Sequence, residues 1–566
     1  MLLGFILLLV FVTRCYGISF DKAESCRVFC QGELLDAVQN AHLFDDSKHF
    51  VDMPLIYDPE TTLQAFNQIT DKSDAAALRN FVSQYFSEPG TELDTCVQLD
   101  WTATPSSFDQ IQDPVYRNWA LQIHEKWKTL CRRIKDDVKR NSNRYSLITV
   151  PHPFIAPGGR FREFYYWDTY WIIKGLLSSQ MYNSSKLMIL NLADMVEKYG
   201  FVPNGGRVYY LRRSQPPLMS GCVYEYYKAT NDTAFVQTML PLLEKERQFW
   251  KEHRGVDWTM PSGEKLQFYQ YRVDVDAPRP ESYKEDIDTA AHESTMEGKR
   301  RVWSDIAAAC ESGWDFSSRW FTRNESSPFK NNLRSVRTSR VVPVDLNSFI
   351  CWNDGILAEL YTLTGNHSQA AYHQSQHEYM RYAIHKAFWN SEHGTWFDLD
   401  MDTNEQRQDY FVSNPTPLFA GCAHNAKDVH KRTINYLRSS GGEFAGGLST
   451  SSVLSGEQWD NPNGWAPTNH VVIEALRTSN DPTVQEAAFQ LANKWLQTNY
   501  FVFVRSGGKM FEKYDVEKFK SKAGGGGEYE VQEGFGWTNG VVLDLLLRYG
   551  DRLRAPPVPP LPSEPL

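Results

Sequence analysis

The chain has 566 residues, a hydrophobic fraction of 42% and a formal net charge of −10. This length and hydrophobic content suffice for a large buried core, and no Gly/Ser-rich or Pro-rich linker divides the chain internally. The charged residues are interspersed and form no basic stripe, so nucleic acid is excluded as an expected partner. We predict a single domain over residues 18–552.

The N-terminal segment indicates secretion. Residues 2–12 form an apolar run of the length typical of a signal-peptide core, which is too short to cross a bilayer. We predict a signal peptide over residues 1–17 and a secreted, extracellular protein without a stable membrane anchor; a buried N-terminal helix is the alternative. Residues 553–566 are rich in proline and are expected to form a disordered tail.

Secretion predicts both disulfide formation and glycosylation. Eight of the nine cysteines lie beyond residue 17, and eight cysteines allow about 105 pairings, among which the sequence does not choose. Their spacing relative to histidine does not match a zinc site, so we expect neither a metal nor another cofactor. N-glycans are expected at four sequons, which begin at Asn183, Asn231, Asn324 and Asn366.

Most of the chain carries apolar residues at the spacing of an amphipathic helix. The predicted helices cover residues 119–138, 186–199, 233–252, 302–320, 344–364, 368–388, 426–436, 470–478 and 483–498. Clusters of Gly, Asn and Ser separate them, and strand-like alternation is confined to short segments such as residues 501–504. Helix pairs repeated along one domain indicate an all-α toroid, in which the loops at one end build a pocket.

The segment 157–171 (PGGRFREFYYWDTYW) concentrates aromatic side chains beside arginines and carboxylates. Arg160 supplies a forked donor and Asp168 an acceptor. Flat aromatic faces such as that of Trp167 suit the apolar C–H faces of a pyranose ring. This combination favours a sugar-binding pocket; the alternative is a buried aromatic helix start with a charge pair.

Two further blocks present arginines in restrained loops. In residues 204–217 (NGGRVYYLRRSQPP) the arginines lie between a pair of glycines and a pair of prolines. In residues 278–283 (PRPESY) prolines fix the backbone on both sides of Arg279. Such loops favour rigidly aimed ligand contacts. A surface salt bridge is the alternative for the first block, and a plain turn is the alternative for the second.

Residues 309–320 (ACESGWDFSSRW) place Asp315 between Trp314 and Phe316. A carboxyl group among aromatic side chains is desolvated, which raises its pKa and favours the protonated form that a general acid needs. Helix capping by Asp315 explains the same residues equally well.

Two blocks nearer the C-terminus complete the candidate site. Residues 458–467 (QWDNPNGWAP) offer Trp459 and Trp465 as aromatic platforms, which we interpret as one wall of a sugar subsite. The glycines at 524–527 predict a loop that can close over a ligand. This run lacks the Gly-Lys-Ser/Thr ending of a phosphate-binding loop.

The segments 157–171 and 458–467 resemble the two signatures of the trehalase family of glycoside hydrolases, and they occur in the same order as in that family. The resemblance extends roughly from residue 50 to residue 549. It implies an (α/α)6 barrel and a catalytic domain that hydrolyses α,α-trehalose to two glucose molecules by inversion. It places the general acid on Asp315 and the general base, which activates water, on Glu512. Without the resemblance, Glu512 beside Lys513 is typical of a solvated surface pair.

The resemblance also implies which residues contact the substrate. In the middle blocks it places contacts on Asn204, Arg213, Ser214, Gln215, Arg279, Pro280, Glu281, Gly313 and Glu528. Arg160, Trp167 and Asp168 of the first signature and Trp459 of the second complete the predicted site. The expected partner is therefore a small disaccharide.

Two alternatives remain open at this stage. An inverting α-glucosidase of similar toroid fold could act on another α-glucoside. A binding protein could keep the pocket after losing catalysis, but such a relative is expected to lack one of the two carboxylates. Asp315 and Glu512 are both present, which favours an enzyme.

Overall fold

The computed structural model describes residues 23–557 except 325, 331, 425–427 and 519–521. The predicted signal peptide over residues 1–17 and the tail residues 558–566 lie outside the described residues, as does the predicted start of a helix at residue 426.

Within the described residues the structure has twenty α-helices and fourteen short strands. The helices are α1 Cys26–Phe29, α2 Glu33–Asn40, α3 Ser47–Val51, α4 Pro59–Phe66, α5 Ala75–Tyr85, α6 Pro114–Leu130, α7 Asp136–Arg140, α8 Tyr166–Ser178, α9 Tyr182–Tyr199, α10 Met219–Thr230, α11 Thr233–Arg254, α12 Tyr283–Ala290, α13 Met296–Ser312, α14 Val344–Leu363, α15 His367–Ala387, α16 Thr416–Phe419, α17 Val429–Ser439, α18 Ala466–Arg477, α19 Pro482–Arg505 and α20 Gly536–Arg548.

All strand pairs are antiparallel, in two three-stranded and four two-stranded sheets. The strands are β1 Leu93–Thr95, β2 Cys131–Ile134, β3 Phe154–Ile155, β4 Gly255–Thr259, β5 Lys265–Tyr269, β6 Val341–Val342, β7 Trp389–Asn390, β8 Thr395–Trp396, β9 Leu399–Asp400, β10 Glu405–Gln406, β11 Glu443–Phe444, β12 Gly447–Leu448, β13 Asn463–Trp465 and β14 Lys513–Asp515.

Twelve of these helices form two concentric rings. The inner helices α8, α10, α14, α16, α18 and α20 each contact the next one, and α20 contacts α8, which closes the ring. The outer helices α6, α9, α11, α15, α17 and α19 alternate with them along the sequence. This arrangement is the predicted (α/α)6 barrel, and the prediction is confirmed.

The inner helices α8 and α20 are buried because they are largely apolar on all sides. In α8 and α20 nearly every residue is buried, from the first turn to the last. Helices with this composition are stable only inside a protein. The outer helix α15 instead exposes much of its length to solvent.

The strand pair β13–β14 determines the position of the site. Asn463 pairs with Asp515 and Trp465 pairs with Lys513. The pairing therefore holds the block 458–467 beside the segment that contains Glu512.

Two predicted helices end earlier than expected, and one predicted strand is helical. The predicted helix 302–320 ends at Ser312, because Gly313 follows it with a φ of +78° and provides a left-handed C-cap. The predicted helix 119–138 ends at Leu130, and β2 follows. Residues 501–504, predicted as a strand, belong to α19. The inner helices α8 and α20 were not predicted, since an all-round apolar segment shows no helical period.

The structure contains three disulfides, Cys26–Cys30, Cys96–Cys131 and Cys351–Cys422. Cys222 and Cys310 are buried free thiols. Among the described residues, none of the helices combines the length and the apolar character needed to cross a bilayer.

Candidate active site

A cavity of about 680 Å³ opens where the inner helices begin. Trp167 and Asp168 lie in the first turn of α8, Trp465 immediately precedes α18, and Trp537 lies in the first turn of α20. Thirteen of the residues predicted from the sequence line this cavity, namely Arg160, Trp167, Asp168, Asn204, Arg213, Gln215, Arg279, Glu281, Gly313, Asp315, Trp459, Glu512 and Glu528.

Two predicted contact residues are not in the lining. Ser214 is fully buried behind the wall, where its hydroxyl donates to the Val202 carbonyl and its N–H to Glu311 Oε1. Pro280 begins a 3₁₀ turn, and its carbonyl accepts a hydrogen bond from Gln39. Both residues position their neighbours Arg213 and Arg279.

Asp315 follows the left-handed turn at Gly313. A side chain at residue 313 would place its Cβ 2.6 Å from the ring of Trp167, so the turn requires glycine. The helical turn after Asp315 is capped by Ser317, which removes the capping alternative. Asp315 lies deep in the protein with part of its surface on the cavity. Burial raises its pKa to about 7, with the positive charge of Arg279 opposing the rise.

Glu512 is fully buried, which removes the surface-pair alternative. Its N–H donates to the Gln532 carbonyl at 3.1 Å, and its own carbonyl accepts from Trp537 Nε1 at 3.0 Å. Its Oε2 has no hydrogen-bond partner among the described residues. The nearest cation is Lys513 Nζ, 3.0 Å from Glu512 Oε1. Burial raises the pKa of Glu512, and Lys513 opposes that rise.

A third carboxyl group, that of Asp168, faces the same cavity. Burial raises its pKa well above the ordinary value, and the charges of Glu512 and Asp315 add to that effect. Three carboxyl groups with raised pKa values thus share one enclosed site. Perturbation of this kind is typical of catalytic clusters.

The three predicted arginines are held by carboxylate or amide partners. Arg160 donates twice to Asp46, at 2.8 and 2.7 Å, and Arg213 donates to Asn204 and forms an ion pair with Glu281.

Arg279 is held by Asp286 and also donates to Glu528 at 3.0 Å. Each of the three guanidinium groups is therefore aimed before a ligand enters, which limits the entropy lost on binding.

Glu281 and Glu528 offer acceptors at the cavity wall. Glu281 Oε2 is buried without a hydrogen-bond partner, although its other oxygen is held by Arg213. Glu528 accepts from Arg279 and from the hydroxyl of Ser282 at 3.1 Å. A sugar hydroxyl would satisfy the unpaired oxygen of Glu281.

Tryptophans form the apolar part of the wall. Trp459 stacks on Trp465 with ring centroids 3.9 Å apart, and the rings of Trp167 and Trp537 are perpendicular to each other. Asp460, whose carboxylate could accept from a sugar hydroxyl, instead accepts from Ser317 and Ser318 and braces the Asp315 loop. The wall formed by 458–467 is thus aromatic rather than polar.

The glycine run 524–527 is anchored at the edge of the cavity. The N–H of Gly525 donates to Asn463 Oδ1 at 3.2 Å, and that of Gly524 donates to the Lys513 carbonyl at 2.9 Å. A Cβ on Gly526 would lie 2.5 Å from the carbonyl oxygen of Gly456. The run is thus packed against the loop that leads into Trp459.

Sequence reasoning missed part of the lining, which includes Lys48, Tyr210, Ser282, Cys310, Tyr529, Phe535 and Trp537. Tyr529 and Trp537 follow the glycine run in an aromatic segment, and that position was a usable signal. Lys48 comes from the N-terminal helices, and no local pattern marks it as a site residue.

Two clusters of the described residues have metal-ligand chemistry, and neither lines the cavity. In the first, Cys351 and Cys422 are joined in a disulfide. In the second, Asp544 already forms ion pairs with Lys174 and Arg548. Both clusters are accounted for by structural contacts.

The chain is similar over most of its length to known proteins. A family model named Trehalase matches residues 42–550. Trehalase from Homo sapiens is 43% identical over 532 residues, which cover 93% of this chain and 90% of that protein. Trehalase from Apis mellifera is 43% identical over 559 residues, 97% of this chain and 88% of that protein. The neutral trehalase Nth1 from Saccharomyces cerevisiae shares the fold, with a TM-score of 0.55 and 23% identity over 70% of this chain and 73% of that one.

Proposed function

The chain belongs to the trehalase family, and we propose that it hydrolyses α,α-trehalose to two glucose molecules by an inverting mechanism. The observation that carries the proposal is that Asp315 and Glu512 line one enclosed cavity and that both have raised pKa values. Glycoside hydrolysis needs one protonated and one ionised carboxyl group across the scissile bond.

Asp315 is the general acid. With its pKa raised to about 7, the carboxyl group is largely protonated in weakly acidic solution and can donate to the bridging oxygen. Protonation of that oxygen lets the first glucose leave as a neutral alcohol.

Glu512 is the general base. Its Oε2 has no hydrogen-bond partner in the protein, so its lone pairs remain available for a water proton, while Oε1 lies against Lys513. Lys513 stabilises the ionised form that a base requires. The activated water attacks the anomeric carbon from the face opposite Asp315, which inverts that carbon.

Arg160, Arg213 and Arg279 orient the sugar. Each is held by its own carboxylate partner, and its remaining N–H groups are directed at hydroxyl groups away from the reacting bond. The tryptophan faces exclude water and pack on the pyranose rings. Trehalose is compact, and a cavity lined by tryptophans and by paired arginines and carboxylates suits it.

An assay of glucose release from a panel of α-glucosides tests the proposal. We expect rapid release from trehalose and little or none from maltose. The Asp315→Asn variant, purified in parallel, controls for contaminating hydrolases. Faster hydrolysis of maltose than of trehalose would assign the site to another α-glucoside.

Secretion is the second part of the proposal. It is supported by the three disulfides, which form in oxidising compartments. The four sequon asparagines are also all exposed, as N-glycans at Asn183, Asn231, Asn324 and Asn366 require. Expression of the full chain in eukaryotic cells should yield protein in the medium that starts near Ile18 and loses mass on enzymatic glycan removal. Recovery only in washed membranes contradicts this expectation.

A further inference from the structure

Gln458 lies between the two carboxyl residues of the site. Its side-chain amide nitrogen donates to the backbone carbonyl of Asp315. Its Oε1 accepts from Lys513 Nζ at 2.6 Å, and the same Nζ lies 3.0 Å from Glu512 Oε1. A continuous chain of polar contacts therefore joins the loop of the acid to the carboxylate of the base.

The side chains that make these contacts are buried in the protein. Gln458 is 1% exposed, and Lys513 and Glu512 are 0% exposed. Lys513 Nζ is further fixed by the carbonyl of Gly526 at 3.4 Å and lies 5.1 Å from the centre of the Trp465 ring. Contacts of this kind are stronger in a buried site than in water.

We propose that Gln458 and Lys513 are positioning residues, which hold Asp315 and Glu512 at a fixed separation and keep Glu512 ionised for proton abstraction. This inference rests on the roles given above to the two carboxyl groups. It adds Gln458 to the site, and it gives Lys513, already named as the partner of Glu512, a part in fixing the separation of the two groups.

An amide is suited to this position because it both donates and accepts. The carbonyl of Asp315 needs a donor, and the ammonium group of Lys513 needs an acceptor. A carboxylate at residue 458 would face the Asp315 carbonyl without a proton to donate. A hydrocarbon side chain would leave the Asp315 carbonyl without this donor and would remove the shortest of the contacts of Lys513 Nζ.

Lys513 is the cation in direct contact with Glu512. The other charged or titratable groups that act on Glu512 are Arg160, Asp168 and Tyr529. Arg160 is committed to Asp46 by two hydrogen bonds, and the charge of Asp168 opposes ionisation of Glu512. Loss of Lys513 would thus leave a buried carboxylate without its direct counter-charge.

The consequence for the pH profile has a definite sign. The base must be ionised, so the pKa of Glu512 sets the rising acidic limb of kcat/KM. The acid must be protonated, so the pKa of Asp315, about 7, sets the falling limb. Removing Lys513 raises the pKa of Glu512 and moves the rising limb towards the falling one. The bell-shaped profile narrows, and its maximum decreases.

The Lys513→Met variant tests the charge. We expect its rising limb to move up by about 1 to 3 pH units, the usual effect of an adjacent opposite charge. Lys513→Arg keeps a positive charge and should keep the rising limb near its wild-type position even if turnover falls. A residue with only a packing role would lower activity equally at all pH values, and that result for Lys513→Met would overturn the proposal.

The Gln458→Met variant tests the link that Gln458 makes between the Asp315 carbonyl and Lys513 Nζ. We expect kcat to fall by about 10- to 100-fold through misplacement of the reacting groups, with a much smaller change in KM. Gln270→Met is the matched control, because Gln270 is equally buried and donates to the Ser339 carbonyl away from the cavity. Equal loss in the two variants, or a loss confined to KM for Gln458→Met, contradicts the inference.

All variants are measured on the α-glucoside that the wild-type protein hydrolyses fastest. Only variants whose melting temperature matches that of the wild type are compared. Failure of the wild type on trehalose then counts against the proposed substrate and leaves the test of Gln458 and Lys513 intact. If Lys513→Met does not fold, Gln458→Met and Lys513→Arg still decide the question.

Discussion

Gly175 of α8 and Gly540 of α20 meet where the two inner helices cross. A Cβ on Gly175 would lie 2.5 Å from the Cα of Gly540, and a Cβ on Gly540 would lie 1.9 Å from the carbonyl oxygen of Trp171. Glycine at both positions allows the helix backbones to touch. The crossing matters for the site because α8 carries Asp168 and α20 carries Trp537 at their cavity ends.

The first prediction concerns this crossing. Gly540→Ala should destabilise the protein by at least about 1–3 kcal/mol, because the added methyl group forces two helix backbones apart. The melting temperature measures the effect. Gly525→Ala is the control, since a Cβ there meets nothing within 4 Å. Equal melting temperatures for Gly540→Ala and the wild type would mean that the helices are less tightly packed than the structure indicates.

The second prediction concerns the acid. Asp315→Asn should lower kcat by about 10²–10⁴-fold, because an amide has no proton to give at this position. Steady-state hydrolysis of trehalose measures the loss. Near wild-type turnover in this variant would remove Asp315 from the mechanism.

The same variant should fold at least as stably as the wild type near neutral pH. The folded state holds a proton on Asp315 up to about pH 7, whereas the ordinary pKa is 3.8. The unfolded chain releases that proton in this window, so the carboxyl group makes the wild type less stable as pH rises from about 4 to about 7. Asparagine does not titrate, so the variant does not undergo this loss of stability. Melting curves at pH 5 and pH 7 should show the larger gain for the variant at pH 7.

The third prediction separates the two glutamates of the cavity. Glu512→Gln should lower kcat by about 10²–10⁴-fold, since it removes the proton acceptor. Glu528→Gln should act mainly on KM, because Glu528 is engaged by Arg279 and Ser282. Steady-state kinetics on the two purified variants make the comparison. The reverse pattern, with Glu512→Gln active and Glu528→Gln inactive, would place the base on Glu528.

The fourth prediction concerns Arg213. Its side chain is held by Asn204 and Glu281, and together with Arg279 it keeps the pKa of Glu281 below the usual value against the effect of burial. Arg213→Ala should therefore lower both kcat and kcat/KM. It should also cost about 3–5 kcal/mol of stability, because it leaves a buried carboxylate unpaired.

Arg212→Ala is the matched control for Arg213→Ala. Arg212 pairs with Asp276 outside the cavity lining, so its removal should leave turnover unchanged. If Arg213→Ala raises only KM, Arg213 binds the substrate and the transition state equally.

The fifth prediction is stereochemical. Water attacks one anomeric carbon of trehalose and inverts it, while the other glucose leaves with its C1–O bond intact. Fresh product should therefore contain one α-glucose and one β-glucose for each bond cleaved. Proton NMR during the first turnovers, before mutarotation, measures the ratio. An initial signal of α-glucose alone would indicate retention and would exclude the role given to Glu512.

Local composition was enough to locate much of the site. Aromatic residues beside Arg160 and Asp168 in one short segment predicted a sugar pocket, and Trp314 and Phe316 beside Asp315 predicted a desolvated acid. The structure places Arg160, Asp168 and Asp315 on one cavity, and burial raises the pKa of Asp315. Such inferences succeed because the cause, the chemistry of adjacent side chains, lies within a few residues of its effect.

The tertiary structure determined the burial and the hydrogen-bond partners of residues whose neighbours in sequence do not indicate them. Glu512 beside Lys513 has the sequence of a surface pair, yet both side chains are 0% exposed because β14 pairs with β13 and α20 begins alongside them. Ser214 has the sequence of a contact residue, yet its hydroxyl is used by the Val202 carbonyl.

The sequence by itself determined that much of the chain is helical, and it located Arg160, Trp167, Asp168 and Asp315, because helical periodicity and residue chemistry are local properties. The barrel, the family and the remaining contacts followed from the resemblance of two segments to the trehalase signatures. Only the tertiary structure decided which carboxylates are desolvated, which arginines are already paired, and that Gln458 links the two catalytic loops. The physical reason is that desolvation and hydrogen-bond partners depend on segments distant in sequence, such as Gln458 and Lys513, which lie 55 residues apart.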